Sequence, residues 1–206
     1  DAPSRELGIP RPAPEDGYGS ERKVVLTNED DAFKGNGRSE TIRARNGDDN
    51  ITARGGHDRI FGAKGNDDIQ GRGGSDWIDG GEGKDTLIGG GKGDVLIGGE
   101  GNDTLRGNSG RDTFVFNSLE DGRDKILDFN VNKDLIDLRE LLSGVEFTAN
   151  SPFDKFINFV ELKQAGRNTR VNIDTDGVVG DARFTTIAVL SGVDASTVGS
   201  DSFLIN

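Results

Sequence analysis

An acid followed two positions later by an apolar residue recurs every nine residues along the middle of the chain. The acids are Asp49, Asp58, Asp67, Asp76, Asp85, Asp94, Asp103 and Asp112, and the apolar partners are Ile51, Ile60, Ile69, Ile78, Leu87, Leu96, Leu105 and Phe114. Glu40 and Ile42 extend both series one step back, and Asp31 with Phe33 one step further, behind a turn (Asn28-Glu29-Asp30) that lacks glycine and reads as a degenerate cap. Glycine stands two positions before the acid at Gly47, Gly56, Gly65, Gly74, Gly83, Gly101 and Gly110. An unbroken short period of this kind predicts a solenoid. Six residues of each repeat read as a turn, because glycine accepts positive φ, and three as a strand whose middle side chain points inward. Two repeats then make one coil of 18 residues, so that alternate repeats lie on opposite sheets.

The flanks break the pattern. Residues 1–22 carry Pro3, Pro10, Pro12 and Pro14 and read as a proline-rich linker, and residues 23–34 as an N-terminal strand and cap around Val24-Val25-Leu26. The array occupies residues 35–115. In 116–206 glycine thins out and strand-like runs appear at 125–129, 156–162, 169–173, 185–190 and 203–205, with a strand and short helix over 135–142. This is a β-rich C-terminal cap. Gly122, Asp124 and Ile126 repeat the array's spacing three residues out of phase, as a displaced further turn. Within the array the outward positions of one sheet include Phe61, Trp77, Val95, Ile97 and Val115, whereas the other sheet shows Asn50, Thr52, Asp68, Gln70, Thr86, Ile88, Thr104 and Arg106. An apolar outer stripe marks an interface. The N-terminal strand or the C-terminal cap is expected to cover it, with a sugar-stacking platform at Trp77 as the rival.

Composition turns this periodicity into chemistry. With 32 glycines, 32% hydrophobic residues and a net charge of −12, the chain needs a charge partner to collapse. Stacked coils lie about 4.8 Å apart, which sets the acids of every second repeat side by side. Paired carboxylates raise each other's pKa unless a cation intervenes. Carboxylates and turn carbonyls together make an all-oxygen ligand set, which suits Ca²⁺. Nine repeats give seven stacked pairs and about seven Ca²⁺ sites. The first, Glu40/Asp58, is expected to be weak or absent, because Arg38 replaces its turn glycine, and Lys92-Gly93 inverts the order before Asp94. Turn propensity alone does not account for eight in-phase acids, and a ladder with no distinct pair argues against paired-carboxylate glycosidase chemistry.

The copies GGEGKDTLI from Gly80 and GGEGNDTLR from Gly98 resemble the calcium-binding nonapeptide GGxGxDxUx of RTX (repeats-in-toxin) proteins. DTFVF at 112–116, GRDKILDF at 122–129, DLIDL at 134–138, NIDTDG at 172–177 and the ending DSFLIN resemble the region after the array and the type I secretion target domains of RTX exoproteins. The resemblance implies a right-handed parallel β-roll. It also implies Ca²⁺ held by the aspartates and by carbonyls of the preceding loop, which brings in Gly71, Gly73, Gly80, Gly89, Gly91 and Gly98 beside the glycines above, and Asp124 in the displaced turn. It implies an uncleaved C-terminal signal read by a type I secretion apparatus, and folding after export into calcium-rich surroundings outside the cell.

Other residues add less. Arg43, Arg45, Arg54, Arg59 and Arg72 could share a basic face, and Arg45, Arg54, Arg72 and Trp77 are the candidates for contact with an anionic polysaccharide, by analogy with the R-modules of alginate epimerases. Asn172, Asp174, Asp176 and Gly177 fit the start of an EF-hand loop, but Arg183 stands where its last ligand belongs, so an acidic turn is the better reading. His57 reads as an exposed bystander. The absence of cysteine excludes disulfides and thiolate metal sites. The acidic balance argues against nucleic acid, and no run reaches transmembrane length. With one His, one Tyr and no nucleophile motif the chain does not read as an enzyme. Lacking Met, it is expected to be a piece of a larger exported protein whose activity lies upstream.

Overall fold

A nine-residue step carries the chain across the molecule and an eighteen-residue step brings it back one strand further along, so the repeats sort into two parallel sheets. The structure, a computed structural model, describes residues 22–143, 159–174 and 184–205. The first sheet runs β1 (Arg22–Val25), β3 (Glu40–Asn46), β5 (Arg59–Lys64), β7 (Trp77–Gly83), β9 (Val95–Gly101), β11 (Thr113–Val115), β13 (Leu135–Asp137) and β17 (Phe203–Leu204). The second contains β2 (Ala32–Lys34), β4 (Asn50–Gly55), β6 (Asp68–Gly73), β8 (Thr86–Gly91), β10 (Thr104–Ser109), β12 (Asp124–Ile126), β16 (Phe184–Leu190), β15 (Asn168–Asp174) and β14 (Val160–Ala165), in that order from the N-terminal edge.

The inward residues stack into two columns that are the core. Val24, Ile42, Ile60, Ile78, Leu96, Phe114, Ile136 and Phe203 are successive partners on the first sheet. Phe33, Ile51, Ile69, Leu87, Leu105, Ile126 and Leu190 are partners on the second. From Ile42 to Ile136 and from Ile51 to Leu190 every member is fully buried, whereas Val24 and Phe33 at the N-terminal edge are only partly covered. Each such burial contributes about 1.5–3 kcal/mol, and a slip of one residue would turn every apolar side chain outward. The described residues therefore form a parallel β-roll.

Several expectations are corrected. The strands in the body of the array are six or seven residues long, because two turn residues rejoin the ladder after a break: Arg54 and Gly55 pair with Arg72 and Gly73 beyond the unpaired Ala53 and Gly71. The roll also continues past residue 115, through β12, β13 and β17 and through β16, which lies parallel to β12. Among the described residues only β14 and β15 turn antiparallel, and they close the far end of the second sheet. The short helix after β13 is instead a run of turns, with Leu142 N–H donating to Leu138 C=O and Ser143 N–H to Glu140 C=O. The N-terminal strand does not cover the apolar outer stripe, since its backbone pairs edge-on with β3 and prolongs the sheet. The stripe's C-terminal part, Ile97 and Val115, is buried, and the 3-10 turn at Leu119–Asp121 packs against β9. The linker over 1–21, the start of the run at 156–162, the end of NIDTDG and Arg183 lie outside the described residues.

Candidate metal centre

Because the acids precede the inward residue by two positions, they lie at the mouth of the turn, stacked coil on coil. The backbone N–H of each donates to Oδ1 of the acid in the next coil: Glu40 to Asp58, Asp49 to Asp67, Asp58 to Asp76, Asp67 to Asp85, Asp76 to Asp94 and Asp85 to Asp103, all at 2.8 Å. Asp94 to Asp112 and Asp103 to Asp124 follow at 2.9 Å, and Asp112 to Asp134 at 3.1 Å. One oxygen of each carboxylate is thus fixed. The second oxygen, Oδ2, of Asp49, Asp58, Asp67, Asp76, Asp85, Asp94, Asp103 and Asp124 is buried without a hydrogen-bond partner among the described residues. A buried carboxylate oxygen with nothing to accept from is costly unless a cation meets it.

Glycine shapes the space around that oxygen. A Cβ on Gly80, five residues before Asp85, would collide with Asp85 Oδ2 and lie 2.6 Å from the Gly98 carbonyl oxygen of the next coil. Gly62, Gly71, Gly89, Gly98 and Gly107 stand in the same relation to Asp67, Asp76, Asp94, Asp103 and Asp112. The missing Cβ therefore leaves a cradle where carboxylate Oδ2 and, in several coils, a backbone carbonyl from the following coil converge. Among the described residues no three His, Cys, Asp or Glu side chains converge; what meets in the cradle is carboxylate and carbonyl oxygen. That donor set, all hard oxygen, fits Ca²⁺.

The carboxylates carry the electrostatic mark of such a site. Burial pushes Asp94 and Asp124 up to about 8, Asp67 and Asp85 to about 7, and Asp76, Asp103 and Asp112 to about 6. Hydrogen bonds from backbone N–H groups oppose the shift in all seven. Repulsion from stacked carboxylates adds to it, as Asp85 and Asp49 act on Asp67. Asp49 is raised as well.

The remaining predicted glycines divide by role. Gly47, Gly56, Gly65, Gly74, Gly83, Gly101 and Gly110 all have positive φ, and a Cβ on Gly65 would strike the Gly47 carbonyl of the preceding coil. In the turn before Asp94 that position is filled by Lys92, which itself takes φ 81°. Gly73 and Gly91 pair with each other in the ladder and have room for a side chain. Four residues before each acid lies a second left-handed position, held by Gly81, Gly90 and Gly99 in some coils but by Arg45, Arg54, Ala63, Arg72 and Asn108 in others.

The N-terminal coils differ in part: a Cβ on Gly35 would strike Glu40 Oε2, so that cradle is open, but the next two are filled. Ala44 and Ala53, both fully buried, stand where glycine would make room for Asp49 and Asp58. Glu40 Oε1 is taken by Arg22 Nη1 at 2.7 Å.

Arg45, Arg54 and Arg72 do not share a face. Nine residues separate the first two, so Arg45 sits on the first sheet opposite Ala63, while Arg54 sits on the second opposite Arg72. Arg43 and Arg59 lie with Arg45 on the first sheet, so the single basic face expected of the five is corrected to two separate groups. Trp77 is half-buried, with its ring 5.0 Å from that of Phe61, over which the Arg43 guanidinium lies at 4.7 Å. His57 is no bystander: its Nδ1 accepts from Ser75 N–H at 3.0 Å and its own N–H donates to Ser39 Oγ, bracing one turn corner.

One further acid extends the ladder, and another stands outside it. Asp134 receives the Asp112 N–H, 22 residues on; its signal was the Asp-x-Ile spacing of Asp134 and Ile136, which lacks a turn glycine. Asp79, half-buried on the outer face, is pushed up to about 7 by burial and by Asp85 and Asp121.

The family described as RTX calcium-binding nonapeptide repeat (4 copies) matches residues 34–69, 61–94 and 88–126. No curated protein matches the chain. Among solved structures, the extracellular lipase LipA of Serratia marcescens is 16% identical with a TM-score of 0.40, covering 92% of this chain and 41% of the lipase. The chain thus spans less than half the length of that protein. The R3 subunit of the AlgE6 mannuronan C5-epimerase of Azotobacter vinelandii is 26% identical with a TM-score of 0.34, covering 91% of this chain and 84% of that one. The R2 subunit of the same epimerase is 23% identical with a TM-score of 0.36, covering 89% and 92%. Stacked aspartates, glycine cradles and the family match converge on the same stretch: residues 34 to 126 match the model of RTX calcium-binding nonapeptide repeats.

Proposed function

We propose that the chain is a calcium-triggered folding module of a larger exported protein, and that it binds one Ca²⁺ per open cradle. The observation that carries this reading is the row of buried, unpartnered Oδ2 atoms facing glycine. The cradles open at aspartates, Asp67, Asp76, Asp85, Asp94, Asp103 and Asp112, make six sites, each completed by the acid one coil on, from Asp85 to Asp124 and Asp134. Carbonyls of the preceding loop, Gly80 and Gly98 among them, supply further ligands. The coils at Glu40, Asp49 and Asp58 bind weakly, for the reasons of alanine and arginine given above. Six divalent ions would balance the net charge of −12.

Calcium bound by the folded state alone stabilises it by mass action, roughly 1.4 kcal/mol per site at ten times Kd. Extracellular calcium modules bind at about 0.1–1 mM, so the chain stays unfolded where calcium is scarce and folds outside the cell. Resemblance of its C-terminal tracts to type I secretion targets supports export by that route. The array itself is a structural calcium-binding unit, and any catalytic activity belongs to the rest of the protein.

Far-UV circular dichroism of the whole chain tests this. A β spectrum is expected in millimolar calcium and a coil spectrum in chelator, with magnesium a poor substitute. An identical β spectrum in both would sink the reading.

A further inference from the structure

We propose that a cationic groove on the outer side of the second sheet binds a multiply charged oxyanion of the sulfate or phosphate type. The groove, about 570 Å³, lies where β10 and β12 meet the closing strands β15 and β16. Thr104, Lys125, Val189 and Arg170 are successive partners across these four strands, so their side chains share one face. At about 4.8 Å per rung, Lys125 and Arg170 stand about 10 Å apart, a gap that one ligand with two anionic groups can span. Lys84 and Arg123, each the residue before a ladder acid, add two more cations from the turn side.

All four cations are exposed, and among the described residues none has an ion-pair partner. On a chain of net charge −12 such a cluster is a local reversal of field. Guanidinium groups match tetrahedral oxyanions with paired N–H donors, and the lining amides of Asn102 and Asn168 can donate as well. Among the described residues no aromatic side chain lines the groove, so these offer no stacking surface for a base or a sugar ring. Its recognition is of charge.

Asp103 and Asp124 form the one opposing element, at the buried edge of the groove. Neutralising them with calcium would strengthen anion binding, and this part of the inference rests on the calcium reading. The test is calorimetric titration of the whole chain in millimolar calcium, with sucrose octasulfate and fructose 1,6-bisphosphate as probes and sucrose as the neutral control. At least one anion is expected to bind saturably, the tighter of the two telling sulfate from phosphate, and raised salt should weaken it. The double substitution Lys125→Glu/Arg170→Glu should weaken binding at least tenfold, while Lys23→Glu, on β1 at the other end, leaves it unchanged. Absence of saturable heat with either anion, or equal affinity in the double variant, would overturn the proposal. Circular dichroism on the same samples separates a failed groove from a failed calcium reading, because both reversed residues are exposed and the fold is read independently.

Discussion

A single methyl group separates Ala53 from Gly80, and the two positions make opposite demands on it. Gly80→Ala places a Cβ against Asp85 Oδ2 and the Gly98 carbonyl. We expect that variant to lose about one calcium per chain in equilibrium dialysis while the other sites persist. Ala53→Gly opens the corresponding space beside Asp58, and its expected result is tighter binding at the N-terminal end or one additional ion. If both variants bind like the parent, the cradle is not part of the site. The aspartates were legible from sequence because their period is unbroken and their residue type is chemically committed. The glycine five before the acid was reached only through the resemblance, as a carbonyl ligand at Gly71, Gly80, Gly89 and Gly98; that its missing Cβ opens the cradle appears only when the next coil is laid against it. The arginine groups were misread for a related reason: neighbours in sequence by nine residues are on opposite sheets.

Strands and turns were read from the alternation of apolar positions, and this succeeded wherever the 18-residue step holds. Beyond Phe114 the steps to Ile126 and Ile136 are 21 and 22 residues along their columns. The first was recognisable because Gly122, Asp124 and Ile126 keep the local spacing. The second was not, as Asn132 stands where the turn glycine would be. Packing by the turn at Leu119–Asp121 had no periodic signal at all, because it is a single irregular contact. These off-period strands cover the last array coil. Replacing fully buried Ile136 by Ala should therefore cost about 2–5 kcal/mol. The measurement is the midpoint of denaturant unfolding in calcium, expected to fall with little change in slope. An unchanged midpoint would mean that β13 is not part of the cooperative unit.

At the scale of the whole molecule, the stacked carboxylates make calcium-free stability depend on acid. Their folded-state pKa values, about 6 to about 8, lie above the ordinary value of 3.8. The folded form without metal therefore holds protons more tightly than the unfolded chain. Its stabilisation is fully present below about pH 4 and is lost as pH rises from there through about 8. Calcium competes for the same oxygens, so its affinity should rise over that window. Circular dichroism in chelator is expected to show more β structure at pH 5 than at pH 8, and calcium to abolish the difference. Stability in chelator that grows with pH would contradict the arrangement.

Because each coil repeats its neighbour's contacts after 18 residues, the molecule has a natural quantum of length. Duplicating or deleting 18 residues inside the array, such as 58–75, keeps every downstream strand on its own sheet and every acid above an acid. A change of nine would move all that follows to the opposite sheet and separate the closing strands from the edges they complete. Variation in length between chains of this kind should therefore come in whole coils.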